Sequence, residues 1–338
     1  MRTLSSVLLL LLASCVSTPD VEGVIQGPPG AVASIAGPGS GIDPGIEPED
    51  ESGVEPEVSP DPERAGAPAE GTSGPLPTYR TPDLRPQTFT RAELANEAEI
   101  RRGALDSRCR ELLPTAREED ATYEELMAAS RALVFNADLR IQTDVALRFD
   151  PENLPKTSAL IDAEDDVPSA LKGEVRSLAQ ESRDLADRAL KLRPGDAAAD
   201  LFNTLGIGLS LWTMGPFQAL TNGAATTLPR RIKQVAEEHP EFEGASPLRL
   251  KGRFASRAPW PYKDKAAGVE ALERAVEIGP IPLNLLFLGD AYWINGNEEA
   301  AIATWERGAV ANADLETEIS SPFLREICRL RSLSTRRK

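Results

Sequence analysis

The chain has 338 residues, enough for one large or two ordinary domains, and a formal net charge of −16. Its 53 acidic against 37 basic residues argue against sequence-independent nucleic-acid binding and against electrostatic binding to anionic lipid headgroups, both of which need clustered Lys and Arg. Only three cysteines are present, which excludes a disulfide scaffold or a cysteine-rich metal site.

The first 14 residues have the pattern of a signal peptide. Arg2 precedes a short apolar stretch, Val7 to Ala13, which is too short to span a bilayer because a helix needs roughly 20 apolar residues. The stretch from Leu12 to Cys15 has the sequence LASC and resembles the bacterial lipobox, in which a peptidase cuts before a lipidated cysteine. We therefore predict acylation of Cys15, the alternative being an ordinary signal peptide with an incidental cysteine.

The lipobox resemblance also implies a location. The residue after Cys15 is Val16 and not aspartate, which by the sorting rule of enteric bacteria favours the outer membrane, facing the periplasm. Several acyl chains would hold the protein stably, since each buried methylene contributes about 0.8 kcal/mol. The resemblance thus implies a palmitate-bearing lipoprotein of the cell envelope.

Residues 15–90 form a second region of distinct composition. Residues 16–90 hold 14 of the 28 prolines and 11 of the 25 glycines, and acidic residues far outnumber basic ones. Such a segment buries too little apolar surface to offset its conformational entropy. We predict a disordered tether that acts as a spacer, or alternatively a segment without a selected length.

A helical domain is predicted for residues 91–335, where proline becomes rarer and helix-forming residues dominate. The segments Arg91 to Leu113 and Thr122 to Leu147 have helical apolar spacing. The second begins with a capping box, in which Thr122 and Glu125 satisfy free amides at the helix start.

The clearest repeat signal lies near the C-terminus. Residues 285–292 have the pattern LxxLGxxY and are followed by Ala301 and, four residues later, Trp305, a spacing that resembles the tetratricopeptide repeat. Weaker versions of this pattern include apolar helices that end at Pro194, Pro240 and Pro280. We expect an all-α fold of stacked antiparallel helical hairpins, a TPR-like α-solenoid or bundle, because one hairpin cannot bury its apolar face alone.

A second resemblance covers the apolar segment 201–212, the Leu228-Pro229 step before a helix ending at Pro240, and segment 246–265 with its Pro259-Trp260-Pro261 loop. These features are similar to the T-component lipoproteins associated with TRAP transporters. The loop is usually glycine-rich in that family, and here it is not. The resemblance implies a helical domain with an internal apolar cavity for a small ligand.

We find no catalytic constellation, no phosphate-binding loop and no paired-histidine metal motif, and we expect neither enzymatic activity nor a cofactor nor a metal. The single histidine, His239, lies at a predicted helix end and is expected to interact with terminal carbonyls. The acidic stretch 162–166 and the basic stretch 323–338 are expected to be a solvated loop and a solvated capping helix.

Two further sets of residues are candidates. Cys109 and Cys328 would face an oxidising compartment after export and either form a disulfide or remain two buried thiols. Five aromatic residues are candidate ligand or partner contacts: Trp212, Phe217, Trp260, Tyr262 and Trp293. Aromatics at helical spacing usually belong to a core, whereas rigid aromatics in a proline-flanked loop suit binding.

The function predicted first is a protein-interaction scaffold in the cell envelope, anchored by lipid, whose helices present a concave face to a protein partner. The alternative is an accessory component of a TRAP-type transporter that binds a small apolar solute in a cavity lined by Trp212, Phe217 and Trp260. An enclosed apolar cavity would favour the alternative, and an open groove would favour the scaffold.

Overall fold

The structure, a computed structural model, describes residues 89–214, 216–222, 226–258, 262–312 and 319–337, without the side chains of residues 216, 217 and 220. The predicted signal peptide, Cys15 and the predicted tether up to residue 88 lie outside the described residues.

The described residues form helices and contain no strand, which confirms the all-α fold class. The helices are α1 (Arg91–Ala116), α2 (Tyr123–Arg148), α3 (Thr157–Asp162), α4 (Ser169–Leu192), α5 (Ala197–Trp212), α6 (Pro216–Thr221), α7 (Thr227–Glu238), α8 (Phe242–Arg257), α9 (Lys265–Ile278), α10 (Pro282–Ile294), α11 (Glu298–Val310) and α12 (Ser321–Arg336). None of them is both long and apolar enough to cross a membrane.

The two longest helices begin at capping boxes. At the start of α2, the Thr122 hydroxyl accepts from the Glu125 amide, and the Glu125 carboxylate accepts from the Thr122 amide, as predicted. The same reciprocal bonds between Thr90 and Glu93 begin α1, although the sequence analysis did not identify that box. Both boxes satisfy amides that the first turn of a helix leaves without partners.

Consecutive helices pack against each other in two series. In the first, α1 contacts α2, α2 contacts α4, and α4 contacts α5; in the second, each helix from α8 to α12 contacts the next. The C-terminal helix α12 also contacts α2 and α3, and α5 contacts α8. These contacts join the two series around a shared interior, which is where the candidate site lies.

The hairpin of α10 and α11 shows why the TPR-like pattern has its glycine. A Cβ atom on Gly289 would lie 2.4 Å from the Trp305 ring, so only glycine allows the two helices to approach this closely. The Trp305 indole is fully buried and donates to the Asp290 carboxylate at 3.2 Å. The glycine of the TPR-like pattern therefore leaves the room that Trp305 occupies, while membership in the TPR family stays a prediction.

The weaker copies of the repeat pack in different ways. Gly206 on α5 contacts Arg183 on the preceding helix, α4, whereas Gly252 on α8 contacts Leu272 and Gly268 on the following helix, α9. Gly206, Gly252 and Gly289 thus mark close helix contacts, although they do not face the same partner in each unit, whereas Gly103 and Gly173 have no neighbour at the corresponding position.

Candidate functional site

A cavity of about 180 Å³ lies where the two helix series meet. The lining comes from α2, α5, α8, α10, α12 and the loop after α3: Val134, Phe135, Asp138, Ile141, Gln142, Glu164, Asp165, Leu205, Gly208, Leu209, Trp212, Glu243, Ser246, Arg249, Leu250, Arg253, Arg257, Ile281, Leu283, Phe287, Ser320 and Leu324.

One part of the cavity is apolar. Leu205, Leu209 and Trp212 on α5 follow a helical spacing that places them on one face, and Ile141 on α2 packs in the same hydrophobic cluster as Trp212. Trp212 is 4% exposed, and the Lys172 ammonium lies 5.8 Å from its ring centroid. This part can accept the apolar portion of a ligand.

Among the five aromatic candidates, Trp212 alone is described as lining the cavity. Tyr262 packs instead against the cluster around Leu228, with its ring 6.1 Å from that of Phe254. Trp293 is partly buried against the cluster that holds Trp305. Trp260 and the side chain of Phe217 lie outside the described residues, so the predicted three-aromatic lining stays a prediction.

A ring of four buried charges stands beside the cavity. Arg253 on α8 contacts Glu164 and Asp290, both at 2.6 Å. Arg331 on α12 contacts the same two acids, Asp290 at 2.5 Å and Glu164 at 3.1 Å. Each acid therefore meets two guanidinium groups and each arginine two carboxylates, an arrangement that compensates the cost of burying all four. We call these residues the charge ring.

The charge ring holds Glu164 ionised. Burial would raise the pKa of Glu164, but Arg253, Arg331 and the nearby Arg257 outweigh it and lower that pKa to about 2. Arg257 is itself paired with Asp165, at 2.7 Å. The expectations of a solvated acidic loop at 162–166 and a solvated basic C-terminal helix were therefore wrong for Glu164, Asp165 and Arg331, because each finds an opposite charge on a distant segment.

The polar part of the cavity on α2 differs from the charge ring because its carboxylate has no ion-pair partner among the described residues. The Asp138 carboxylate accepts from the Ser320 hydroxyl at 2.6 Å and from the Gln142 amide at 3.4 Å. Within the described ranges no Lys or Arg forms an ion pair with it. The charge of Arg249, which lines the same cavity, lowers the pKa of Asp138, but burial outweighs that effect and raises the pKa. Gln142 is 3% exposed, and its Oε1 is buried without a hydrogen-bond partner among the described residues. We call these two residues the acceptor pair.

A left-handed turn forms part of the cavity wall at the start of α8. Glu243, Gly244 and Ala245 have φ values of +46°, +62° and +63°, a conformation that costs roughly 1–2 kcal/mol for each residue with a side chain. The buried Asn284 amide donates to the Gly244 carbonyl at 2.9 Å, and the Glu243 carboxylate pairs with Arg131 at 3.1 Å. Backbone strain held in this way is concentrated at functional sites in proteins.

Cys109 and Cys328 are buried on different helices and are not joined by a disulfide, which agrees with the alternative of two buried thiols. Cys109 packs with α2 and α4, whereas Cys328 lies against Gly308, where a Cβ atom would approach its sulfur to 2.7 Å. Burial raises the pKa of the Cys109 thiol and makes it a poor nucleophile.

The sequence analysis missed the acceptor pair and the charge ring, although a signal was present. Asp138 on α2 and Arg331 on α12 interrupt otherwise apolar stripes: Val134, Ile141 and Val145 flank the first, and Leu324, Ile327 and Cys328 precede the second. A charged residue on the buried face of a helix needs an oppositely charged or hydrogen-bonding partner, because burying it alone costs free energy. Such a residue therefore marks a candidate site.

Comparison with known proteins assigns no family. No protein-family model matches the chain, and no curated protein matches it closely enough in sequence to count as a relative.

Proposed function

We propose that this protein binds a small amphipathic amine in the cavity between α2, α5 and α8, with the acceptor pair holding the amine. The observation that carries the proposal is the acceptor pair itself: a carboxylate without an ion-pair partner and a buried amide oxygen without a donor, within the described residues, both lining one cavity. An ammonium group supplies donors and a positive charge, which is what both groups lack.

The shape of the cavity limits the rest of the ligand. The apolar part next to Trp212 and Leu209 suits a short hydrocarbon portion. The charge ring contributes little to ligand choice, because each of its arginines and acids already has two ion-pair partners within the ring. This proposal develops the alternative function from the sequence analysis and changes the ligand class from apolar to amphipathic.

A matched series of probes tests the proposal. Hexylamine, hexanol and hexanoate share one hydrocarbon chain and differ in the polar group, and calorimetric titration of each gives its affinity. We expect hexylamine to bind at least tenfold more tightly than the other two, because leaving a buried acceptor without a donor costs about 1–3 kcal/mol. Equal affinity for hexanol or hexanoate would contradict the proposal.

Two variants assign the binding to the acceptor pair. Asp138→Asn removes the negative charge with little change in volume and should weaken hexylamine binding at least tenfold while leaving hexanol binding unchanged. Asp144→Asn, on the same helix but in a partly exposed pair with Arg148, is the matched control and should bind hexylamine like the wild type. Unaltered hexylamine binding in the Asp138 variant would place the ligand elsewhere.

The cellular setting remains part of the proposal. We propose that the chain is a lipoprotein of the cell envelope anchored through Cys15, so that Cys15→Ala should move it from the membrane to the soluble fraction. A TPR-like scaffold for a protein partner, the function predicted first, and a role beside a TRAP-type transporter both stay predictions. A pull-down from membranes analysed by native mass spectrometry would separate a protein partner from a bound small molecule.

A further inference from the structure

A second polar cluster lies away from the cavity, between α5 and the end of α7. It consists of Asp200 on α5, Glu238 at the last position of α7, and His239 directly after it. The nearest carboxylate and imidazole atoms of the three residues lie within 4.8 Å of one another. We propose that this cluster binds a divalent transition-metal cation such as Zn²⁺.

Two buried atoms in the cluster lack partners. The Oδ2 atom of Asp200 and the Nε2 atom of His239 are both buried, and neither has a hydrogen-bond partner among the described residues. The Asp200 residue is only 4% exposed. Buried polar atoms are nearly always satisfied in proteins, so two such atoms facing each other call for an explanation.

Their separation suits an ion better than a direct hydrogen bond. Asp200 Oδ2 and His239 Nε2 are 4.0 Å apart, too far for a hydrogen bond. Two ligands of one tetrahedral zinc ion, with bonds of about 2.1 Å, lie about 3.4 Å apart. The distance between these two atoms therefore needs to shorten by little more than half an ångström for both to bind one ion. The exposed Glu238 carboxylate can rotate to become the third ligand.

The backbone fixes the two buried ligands. The His239 amide donates to the Val235 carbonyl at 3.0 Å, and its carbonyl accepts from the Phe242 amide at 3.2 Å. Asp200 lies in the first turn of α5, where the Thr204 hydroxyl donates to its carbonyl at 2.7 Å. This positioning replaces the expected contact of His239 with helix-terminal carbonyls, because its imidazole faces a carboxylate on another helix instead.

The surrounding charge favours a cation. Arg231 contacts Asp200 Oδ1 at 3.3 Å and leaves Oδ2 to face His239. The acidic groups around the site, Asp196, Asp200 and Glu238, outnumber this one arginine. The mixture of one imidazole and two carboxylates suits zinc and its neighbours, whereas magnesium and calcium prefer oxygen ligands alone.

Zinc titration of the purified full chain, without a histidine tag, tests the proposal. We expect one Zn²⁺ to bind with an affinity that falls at least tenfold in His239→Gln and in Asp200→Asn. Glu237→Gln, an exposed neighbour on α7 that pairs with Lys233, is the matched control and should leave the affinity unchanged. Zinc binding of equal strength in the His239 variant, or no zinc binding to the wild type, would overturn the proposal.

The single histidine of the chain provides a second readout that does not depend on variants. Diethyl pyrocarbonate modifies imidazoles that are at least partly accessible; the His239 side chain as a whole is 22% exposed although its Nε2 atom is buried, and mass spectrometry would locate the change at residue 239. Zn²⁺ should protect His239 from modification at least fivefold, and Mg²⁺ should not; absence of protection by Zn²⁺ would count against the site. Because this cluster is separate from the cavity, Asp138→Asn should bind Zn²⁺ normally, so the two proposals can fail independently.

Discussion

The charge ring and the acceptor pair lie beside the same cavity and bury acidic groups by opposite means. In the charge ring, Glu164 and Asp290 each meet two guanidinium groups, and the pKa of Glu164 falls to about 2. In the acceptor pair, Asp138 accepts hydrogen bonds only from a hydroxyl and an amide among the described residues, and burial outweighs the charge of Arg249 and raises the pKa of Asp138. A closed network of this kind serves the fold, whereas an incompletely satisfied group is available to a ligand.

The difference follows from where the partners come from. The ring draws its members from α8, α10, α12 and the loop after α3, so it ties four segments together. The acceptor pair belongs to one helix, with Ser320 as its contact from elsewhere. The four predictions below test whether the first region is structural and the second is reserved for binding.

Arg331→Met should give the largest effect. The arginine is completely buried, and its loss leaves Asp290 and Glu164 each with one counter-ion fewer. Removal of one partner from a buried ion pair costs about 3–5 kcal/mol, which urea denaturation would measure. Arg329→Met, two residues earlier and in a more exposed pair with Glu326, should cost less than about 1 kcal/mol. Similar losses in the two variants would refute a structural role for the ring.

Acidification should weaken the ring next. Because the pKa of Glu164 is depressed from an ordinary 4.5 to about 2, its contribution is present above pH 4.5 and is lost as the pH falls towards 2. A shift of that size corresponds to about 3 kcal/mol. The free energy of unfolding, measured between pH 7 and pH 3, should fall less steeply in Glu164→Gln than in the wild type. Parallel pH dependences in the two proteins would show that Glu164 is not the source of the acid sensitivity.

Asp138→Asn should act in the opposite direction and stabilise the protein. Because burial raises the pKa of this carboxyl, its ionisation opposes folding as the pH rises above the ordinary value of 3.8. We expect a gain of about 1 kcal/mol at pH 7 that shrinks towards pH 3, with loss of amine binding. Thermal unfolding at both pH values checks this, and a destabilised variant at pH 7 would show that Asp138 belongs to the scaffold.

Gln142→Met should change stability least. Methionine has a similar length and removes the buried Oε1 that lacks a partner, at the expense of a long hydrogen bond to Asp138 of 3.4 Å. The two effects nearly offset, so we expect a change within about 0.5 kcal/mol, together with weaker hexylamine binding. A loss above about 1.5 kcal/mol would indicate that the amide is fully satisfied in the free protein.

Much of the fold was predictable from local sequence, as particular elements show. The Thr122 capping box, the tight fit of Gly289 against Trp305 and the helical character of residues 91–113 and 122–147 all agree with the structure. Each depends on residues within one helix or one hairpin, where spacing along the chain fixes proximity.

The candidate site was mostly not predictable. Trp212 was identified as a candidate, but Asp138 and Gln142 were not. Glu164, Asp165 and Arg331 were interpreted as solvated. Composition assigns charged residues to the surface, and only a contact with a distant segment reverses that assignment.

By itself the sequence determined the helices, their caps and the glycines that allow close packing, because those features depend on torsional preferences and on neighbours three or four residues away. The tertiary structure decided which charges meet: Glu164 and Arg331 are 167 residues apart in the chain and 3.1 Å apart in space. It also decided that Asp138 would form no ion pair among the described residues. The electrostatic energy of a buried charge is the total of its interactions with groups that the whole fold brings together. No local sequence pattern determines that total.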